Sequence, residues 1–344
     1  MCFMFHIAPP LSSLGFYSSE AFLCYNLRNG GKMSKFDDQY LELCNTILTE
    51  GERVVNYKDK TNSTRSKKAS LTMPNHISQA KNESATIRIP HYFLEFDLQE
   101  EFPILTTKFV AFKSAVLEML WIWQVQSNNV KWLRDRGVKI WNEWEIDQNG
   151  DYMGRHIGKE YAGTIGTAYG WIVNKYQLTQ SLIETLKTNP SNRRMVMSLW
   201  QNEWLPTAAL PSCVWSNEWI VSGDKLNLMV HSRSNDAPLG LPFNITQYAV
   251  LCHLIAQSVG LKPGKMSFTI NDAHIYENQI DGIKEQLRRR DEKLSQDGEL
   301  YPAPKLWINP DITDFFKFDH SKELKDIKLV NYQHQGKIAM PVTE

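Results

Sequence analysis

Between Leu210 and Tyr276 the chain gathers residue types that could do chemistry together: Cys213, then Arg233-Ser234-Asn235-Asp236, then Leu239 to Asn244, and last Asn271-Asp272-Ala273-His274-Ile275-Tyr276. A cysteine attacks through its thiolate, which positive charge or hydrogen-bond donors must favour against an ordinary pKa of about 8.5. Arg233, with Arg193 and Arg194 upstream, could supply that field. Arginine also offers phosphate a planar, two-pronged contact that lysine cannot. Asn244 has two open readings. It stands at the start of a long apolar stretch with Gln247 three residues on, which is a helix-capping pattern. Its amide can also donate at one position and accept at another on the edge of a flat base. His274 and Tyr276, two apart, would project to one side of a strand. A lone cysteine is more often a small buried hydrophobe, and adjacent arginines are more often surface charge. In this order and spacing they suit one anionic, heterocyclic small molecule attacked by sulfur.

The elements that must hold these residues follow from periodicity. Asp37 to Glu50 repeats apolar residues at three and four and predicts a helix closed near Gly51. Asn56 to Ser84 is polar and reads as a long surface loop. Ala85 to Phe96 has strand character, and Phe112 to Trp123 is a helix with Glu118 just off its apolar face, at the rim of any pocket beneath. Met195 to Trp200 reads as a strand, and Glu218 to Val221 with Leu226 to His231 form a hairpin. Ile245 to Val259 is a buried helix stopped by Gly260, with Cys252 in the core. Glu277 to Ser295 is a charged helix whose Arg288, Arg289 and Arg290 read as a solvated face. Helices on a largely β core predict an α+β class in one domain.

A chain of 344 residues, 42% hydrophobic, can build a sizeable core. With 38 basic and 38 acidic residues there is no general field to draw it to nucleic acid or an anionic membrane, so phosphate specificity must be local. Five cysteines, an odd set without metal-ligand spacing, suit free thiols in a reducing compartment, and the expectation is cytoplasmic. Residues 1–32 fit poorly with the rest: the apolar start is interrupted by Pro9-Pro10 and lacks the charged beginning of a signal peptide. Either Met33 is the native start, preceded by Gly30-Gly31-Lys32 whose codons are purine-rich as in a bacterial ribosome-binding site, or the leader is a disordered arm on a domain at 33–344.

From Phe36 onward the sequence resembles the thymidylate synthase family, in a divergent branch found in some Bacillus species and their phages. The matching stretches are Pro103 to Lys108, Glu118-Met119-Leu120-Trp121, Ile140 to Trp144, Ser191 to Arg194, Ser212-Cys213-Val214, Ser232 to Asp236, Leu239 to Asn244 and Asp272 to Tyr276. The resemblance implies reductive methylation of dUMP to dTMP, with 5,10-methylenetetrahydrofolate supplying both the one-carbon unit and the hydride, so that no metal is needed. It also implies a homodimer. Cys213 would add to carbon 6 of the pyrimidine. Arg233 and Ser234 would hold the phosphate, joined by Arg193 and Arg194 reaching across the dimer interface. Asn244 would read O4 and N3–H of uracil, since relatives acting on cytosine nucleotides carry an acidic residue there. His274 and Tyr276 would bond the 3′-hydroxyl. Trp141, Trp144, Asp236, Leu239, Gly240 and the terminal segment with Val342 would wall the folate. Glu118 and Tyr169 would move protons through ordered water, which asks for a Glu118 pKa raised by burial.

The lengthened loop leaves one ligand open. The family has an arginine within Asp-Arg-Thr, where this chain reads Asp59-Lys60-Thr61 with the next arginine at Arg65, so either Lys60 or Arg65 completes the phosphate site. Val214 replaces a histidine, Ser212 a proline and Glu218 a glutamine, and the chain ends in charged Glu344. The rival readings are a pyrimidine nucleotide hydroxymethylase on the same scaffold, a Cys-His-Asn hydrolase using Cys213, His274 and Asn271, and a nucleotide- or RNA-binding regulator. The hydrolase leaves the phosphate set unexplained, and zero net charge weighs against the regulator.

Overall fold

The computed structural model describes residues 33–55 and 85–342. The leader at 1–32, the loop at 56–84 with Lys60 and Arg65, and Glu344 lie outside the described residues.

Helix α1 (Lys35–Glu50) begins where the Ser34 hydroxyl accepts the Asp37 N–H at 3.0 Å, satisfying one of the helix's orphan donors, and stops at Gly51. Strands β1 (Glu52–Val55) and β2 (Ala85–Asp97) pair antiparallel. Next come α2 (Phe112–Trp123), α3 (Val130–Arg134), the short hairpin β3 (Asp151–Tyr152) and β4 (Arg155–His156), α4 (Gly170–Lys175) and α5 (Leu178–Thr188). Strands β5 (Val196–Ser198), β6 (Val214–Ser222), β7 (Lys225–Ser232) and β8 (Asn235–Asp236) precede α6 (Gly240–Ser258) and the long β9 (Lys262–Tyr276). The chain then runs through α7 (Ile280–Asp297), β10 (Lys305–Ile308) and β11 (Ile327–Val330).

Seven strands form one sheet in the order β1-β2-β9-β7-β6-β5, with β8 beside β9. Consecutive β6 and β7 are antiparallel through a tight turn, whereas β7 and β9 are parallel, because α6 carries the chain back across the sheet before β9 begins. Both α2 and α6 are apolar nearly all round, a pattern that only burial satisfies, and they pack on each other with α6 also against β9. Trp121 in α2 is fully buried, and truncating such a residue to alanine costs about 3–5 kcal/mol. The result is the expected α+β class.

The register places Phe93, Val196 and Ile220 on the other face of the sheet, where Trp215 packs at a tilt against His231 with ring centroids 5.6 Å apart. These four apolar side chains are 40–56% exposed in the single chain. Strand β5 is shorter than expected and the β6–β7 hairpin longer. The expectation of a solvated arginine face is corrected at Arg290, which is fully buried with its guanidinium on Asp291. Three consecutive residues spread over about 200° of a helix, so they cannot share one face. Arg288 stays outside, paired with Glu285, whereas Arg289 is half-buried, paired with Glu285 and donating to Gln335 O at 2.9 Å.

Candidate active site

Cys213 lies just before β6, and its backbone is held from both sides. Its N–H donates to the Tyr169 hydroxyl at 3.0 Å, and its carbonyl accepts the Arg233 N–H at 2.9 Å. Arg233 is braced by the same segment: Nε donates to Ser212 O at 3.1 Å and Nη2 to Pro211 O at 2.9 Å. That bracing leaves Nη2 3.7 Å from the Cys213 sulfur. Tyr169 reaches this point from a left-handed backbone (φ 45°, ψ −109°), a conformation costing about 1–3 kcal/mol in a non-glycine residue.

Burial pushes the Cys213 thiol above its ordinary value; Arg233 pulls it down, while Asp236 and Asp272 push it further up. The net direction runs against the expectation of a field that favours thiolate: among the described residues Arg233 alone pulls the pKa down, and desolvation outweighs it. Arg193 and Arg194 are exposed and do not line the cavity of their own chain.

Glu118 is buried on the inner side of α2. Its Oε1 accepts the Trp141 indole N–H at 2.6 Å, and its Oε2 accepts the Gln247 amide. Burial raises its pKa to about 7 against the pull of these two donors, the shift that proton transfer asks for.

Asn244 is not a helix cap. Helix α6 begins at Gly240, four residues earlier, and accommodates Pro242 in its first turn where proline's missing N–H is not needed. The Asn244 side chain instead accepts from Asn235 Nδ2 at 3.1 Å and donates to Gln247 Oε1 at 3.5 Å. At the end of β9, His274 and Tyr276 stand on one side with ring centroids 5.1 Å apart. Ser234 Oγ donates to Asp272 Oδ2 at 3.0 Å, and His274 Nδ1 lies 3.6 Å from the same oxygen. Burial alone would raise the Asp272 pKa, but His274 and Ser234 hold it below the ordinary value.

Asp236 accepts Leu239 N–H at 2.9 Å and the Gln279 amide at 3.0 Å. The same Gln279 nitrogen donates to Pro341 O at 3.2 Å, which ties the terminal segment to the Asp236 wall. Met340 docks beside it in space that a Cβ at Gly282 would fill, at 2.6 Å.

These side chains enclose one cavity of about 730 Å³, within the usual range for small-molecule sites. Its lining brings together Glu118, Trp141, Trp144, Tyr169, Cys213, Arg233, Ser234, Asp236, Leu239, Gly240, Asn244, His274, Tyr276 and Val342. Trp141 and Trp144 meet at 5.5 Å between centroids and give the apolar half an aromatic wall, suited to a flat ring system. Sequence reasoning missed Gln247 as the partner of Glu118, and Gln279 and Asn235 as supports. Gln247 had a signal, since it lies three residues beyond Asn244 on one helix face.

The thymidylate synthase family model matches residues 38–344. The thymidylate synthase of Clostridium beijerinckii is 46% identical over 311 residues, covering 90% of this chain and all of that one. Those of Bacillus licheniformis and of Bacillus phage phi3T are 39% and 37% identical over 319 residues, covering 90% of this chain and 99% of each. Among solved structures, thermostable thymidylate synthase A from Bacillus subtilis superposes with a TM-score of 0.72 at 35% identity, over 89% of this chain and 99% of that one. With these ordered motifs, this fold and this site, the chain belongs to the thymidylate synthase family.

Proposed function

We propose that this chain converts dUMP to dTMP with 5,10-methylenetetrahydrofolate, and that the cavity residues divide the work as follows. The observation that carries the reading is the convergence of the Cys213 sulfur, the Arg233 guanidinium 3.7 Å from it, the Asn244 amide and the Glu118 carboxyl on one cavity. Cys213, as thiolate, forms a bond to carbon 6 of the uracil while the ring's double-bond electrons shift toward carbon 5 and O4. Asn244 offers an N–H to O4 and a lone pair to N3–H. Arg233 and Ser234 take the phosphate, for which the Ser234 hydroxyl turns from Asp272. His274 and Tyr276 hold the 3′-hydroxyl. Glu118, with a pKa of about 7, holds or releases a proton near neutral pH, and Tyr169, whose hydroxyl accepts the Cys213 N–H, lines the same cavity. Trp141, Trp144, Leu239 and Asp236 fit a pterin-like ring and its polar edge. The folate, when bound, supplies the one-carbon unit and the hydride.

The exposed sheet face with Phe93, Val196, Trp215 and Ile220, and the exposed pair Arg193 and Arg194, support a homodimer in which those arginines serve the partner's phosphate site. Among the described residues no helix is long and apolar enough to cross a membrane. Free thiols at Cys44, Cys213 and Cys252 support a reducing compartment, the cytoplasm.

The test is incubation of the full chain with dUMP and 5,10-methylenetetrahydrofolate while dihydrofolate absorbance is followed. Rising absorbance with dTMP as product supports the reading. Hydroxymethylated nucleotide without dihydrofolate replaces it with the hydroxymethylase.

A further inference from the structure

Four polar side chains at the cavity wall, of which Asn244 and Gln247 line it, form one hydrogen-bonded chain whose donations run outward from Asn235 to both ends. The Ser232 hydroxyl gives its proton to the Ser234 carbonyl at 3.0 Å, so its oxygen can only accept from Asn235 Nδ2, at 3.4 Å. The second proton of that nitrogen goes to Asn244 Oδ1 at 3.1 Å. Asn244 Nδ2 then donates to Gln247 Oε1 at 3.5 Å, and Gln247 Nε2 to the Glu118 carboxylate. Glu118's other oxygen is taken by the Trp141 indole N–H. A carbonyl acceptor anchors one end of this chain and a carboxylate the other, so each amide between them has one favoured orientation.

Asn235 is 3% exposed, and its Oδ1 is buried without a hydrogen-bond partner among the described residues. A buried orphan oxygen is unfavourable, so the two donations from Nδ2 are what hold this orientation.

We propose that Asn235 is a specificity-determining positioning residue: by donating to Asn244 Oδ1 it fixes the Asn244 amide in the orientation that suits a uracil edge and opposes a cytosine edge. The proposal rests on the reading of Asn244 as the base contact. With Oδ1 engaged by Asn235 and Nδ2 by Gln247, Asn244 retains one lone pair and one N–H for the base. Uracil presents an acceptor at O4 and a donor at N3; cytosine presents the reverse, an amino donor and a ring-nitrogen acceptor. A half-turn of the Asn244 amide exchanges its two offerings. The base preference of this site is therefore set by a residue that does not line the cavity.

Replacing Asn235 with aspartate puts only acceptors beside Asn244 Oδ1, which favours the turned amide. Alanine removes the restraint without imposing the reverse. The experiment measures dissociation constants for dUMP and for dCMP on the full chain as wild type, Asn235→Asp, Asn235→Ala and Asn244→Ala. The dCMP-to-dUMP ratio is read within one preparation, so a partly inactive sample does not move it. The expected result is a fall in uracil preference of about tenfold or more for Asn235→Asp, and a smaller fall for Asn235→Ala. If only one Asn235 variant folds, that variant decides. Wild-type ratios in the Asn235 variants beside a lost preference in Asn244→Ala overturn the role of Asn235 and leave Asn244 as the base contact. A wild-type ratio in Asn244→Ala removes the base contact itself, and this proposal with it.

Discussion

Trp141 donates its indole N–H to Glu118 Oε1 at 2.6 Å, so the aromatic wall and the buried carboxyl are joined by a hydrogen bond. Glu118's pKa in the folded chain is about 7, above its ordinary 4.5. The folded state therefore holds this proton more tightly than the unfolded state, and the group costs stability as pH climbs from about 4.5 through about 7. Glu118→Gln removes that cost. We expect it to raise stability by up to about 3 kcal/mol at pH 8 and by less than about 1 kcal/mol at pH 5. Turnover should fall by about 10²–10⁴-fold. Melting at the two pH values checks the first; a gain no larger at pH 8 than at pH 5 defeats it. Trp141→Phe deletes a donor that favours the carboxylate, so the acidic limb of the pH–rate profile should move upward.

Cys213→Ala should abolish dTMP formation while dUMP affinity stays within a few-fold of wild type, since phosphate and base contacts are separate from the covalent step. Nucleotide titration alongside turnover measures both. Turnover near the wild-type rate in a purified variant would eliminate Cys213 as the nucleophile.

Arg193 and Arg194 are exposed and do not line their own chain's cavity, so their proposed work is in the partner's site. Arg194→Ala and Cys213→Ala, each inactive or nearly so alone, should complement after the two are unfolded and refolded together. Random pairing leaves one intact site in half of the dimers, so about a quarter of wild-type activity should return. No recovery in dimers shown by mass to be mixed would place the arginines outside the partner's site.

Arg65→Ala should weaken dUMP binding by roughly tenfold or more, and Lys60→Ala by less, because only a guanidinium makes the two-pronged phosphate contact. Deoxyuridine, lacking phosphate, serves as the control. Unchanged dUMP affinity relative to deoxyuridine in both variants would leave the anion to Arg193, Arg194 and Arg233.

The residues facing the cavity were legible chiefly because each lies in a short stretch that resembles a family motif, with local geometry adding to that at a few positions. Spacing alone places His274 and Tyr276 on one side of a strand, and Glu118 at the margin of an apolar helix. What holds those residues was not legible, because it depends on contacts distant in sequence. The partner of Glu118, Gln247, is 129 positions away and meets it only through the packing of α2 on α6. Asn244 resembled a cap because its own stretch looked like a helix start; the true start at Gly240 includes a proline that periodicity treats as a break. The rise in the Cys213 pKa comes from burial, which residue types near it cannot report. Arg290 was misread because three like charges in a row suggest one face, while a helix rotates each to a different one.

The Gln279 amide, shared between Asp236 and the Pro341 carbonyl, bears on how this protein should be handled at the bench. An affinity tag or a reporter fused behind Glu344 extends the segment that this nitrogen ties to Asp236 and that brings Val342 to the cavity, so we expect it to disturb the chamber at both points. Purification handles on this chain belong at the other terminus, and a sluggish preparation tagged at the carboxyl end should be recut before its rates are read.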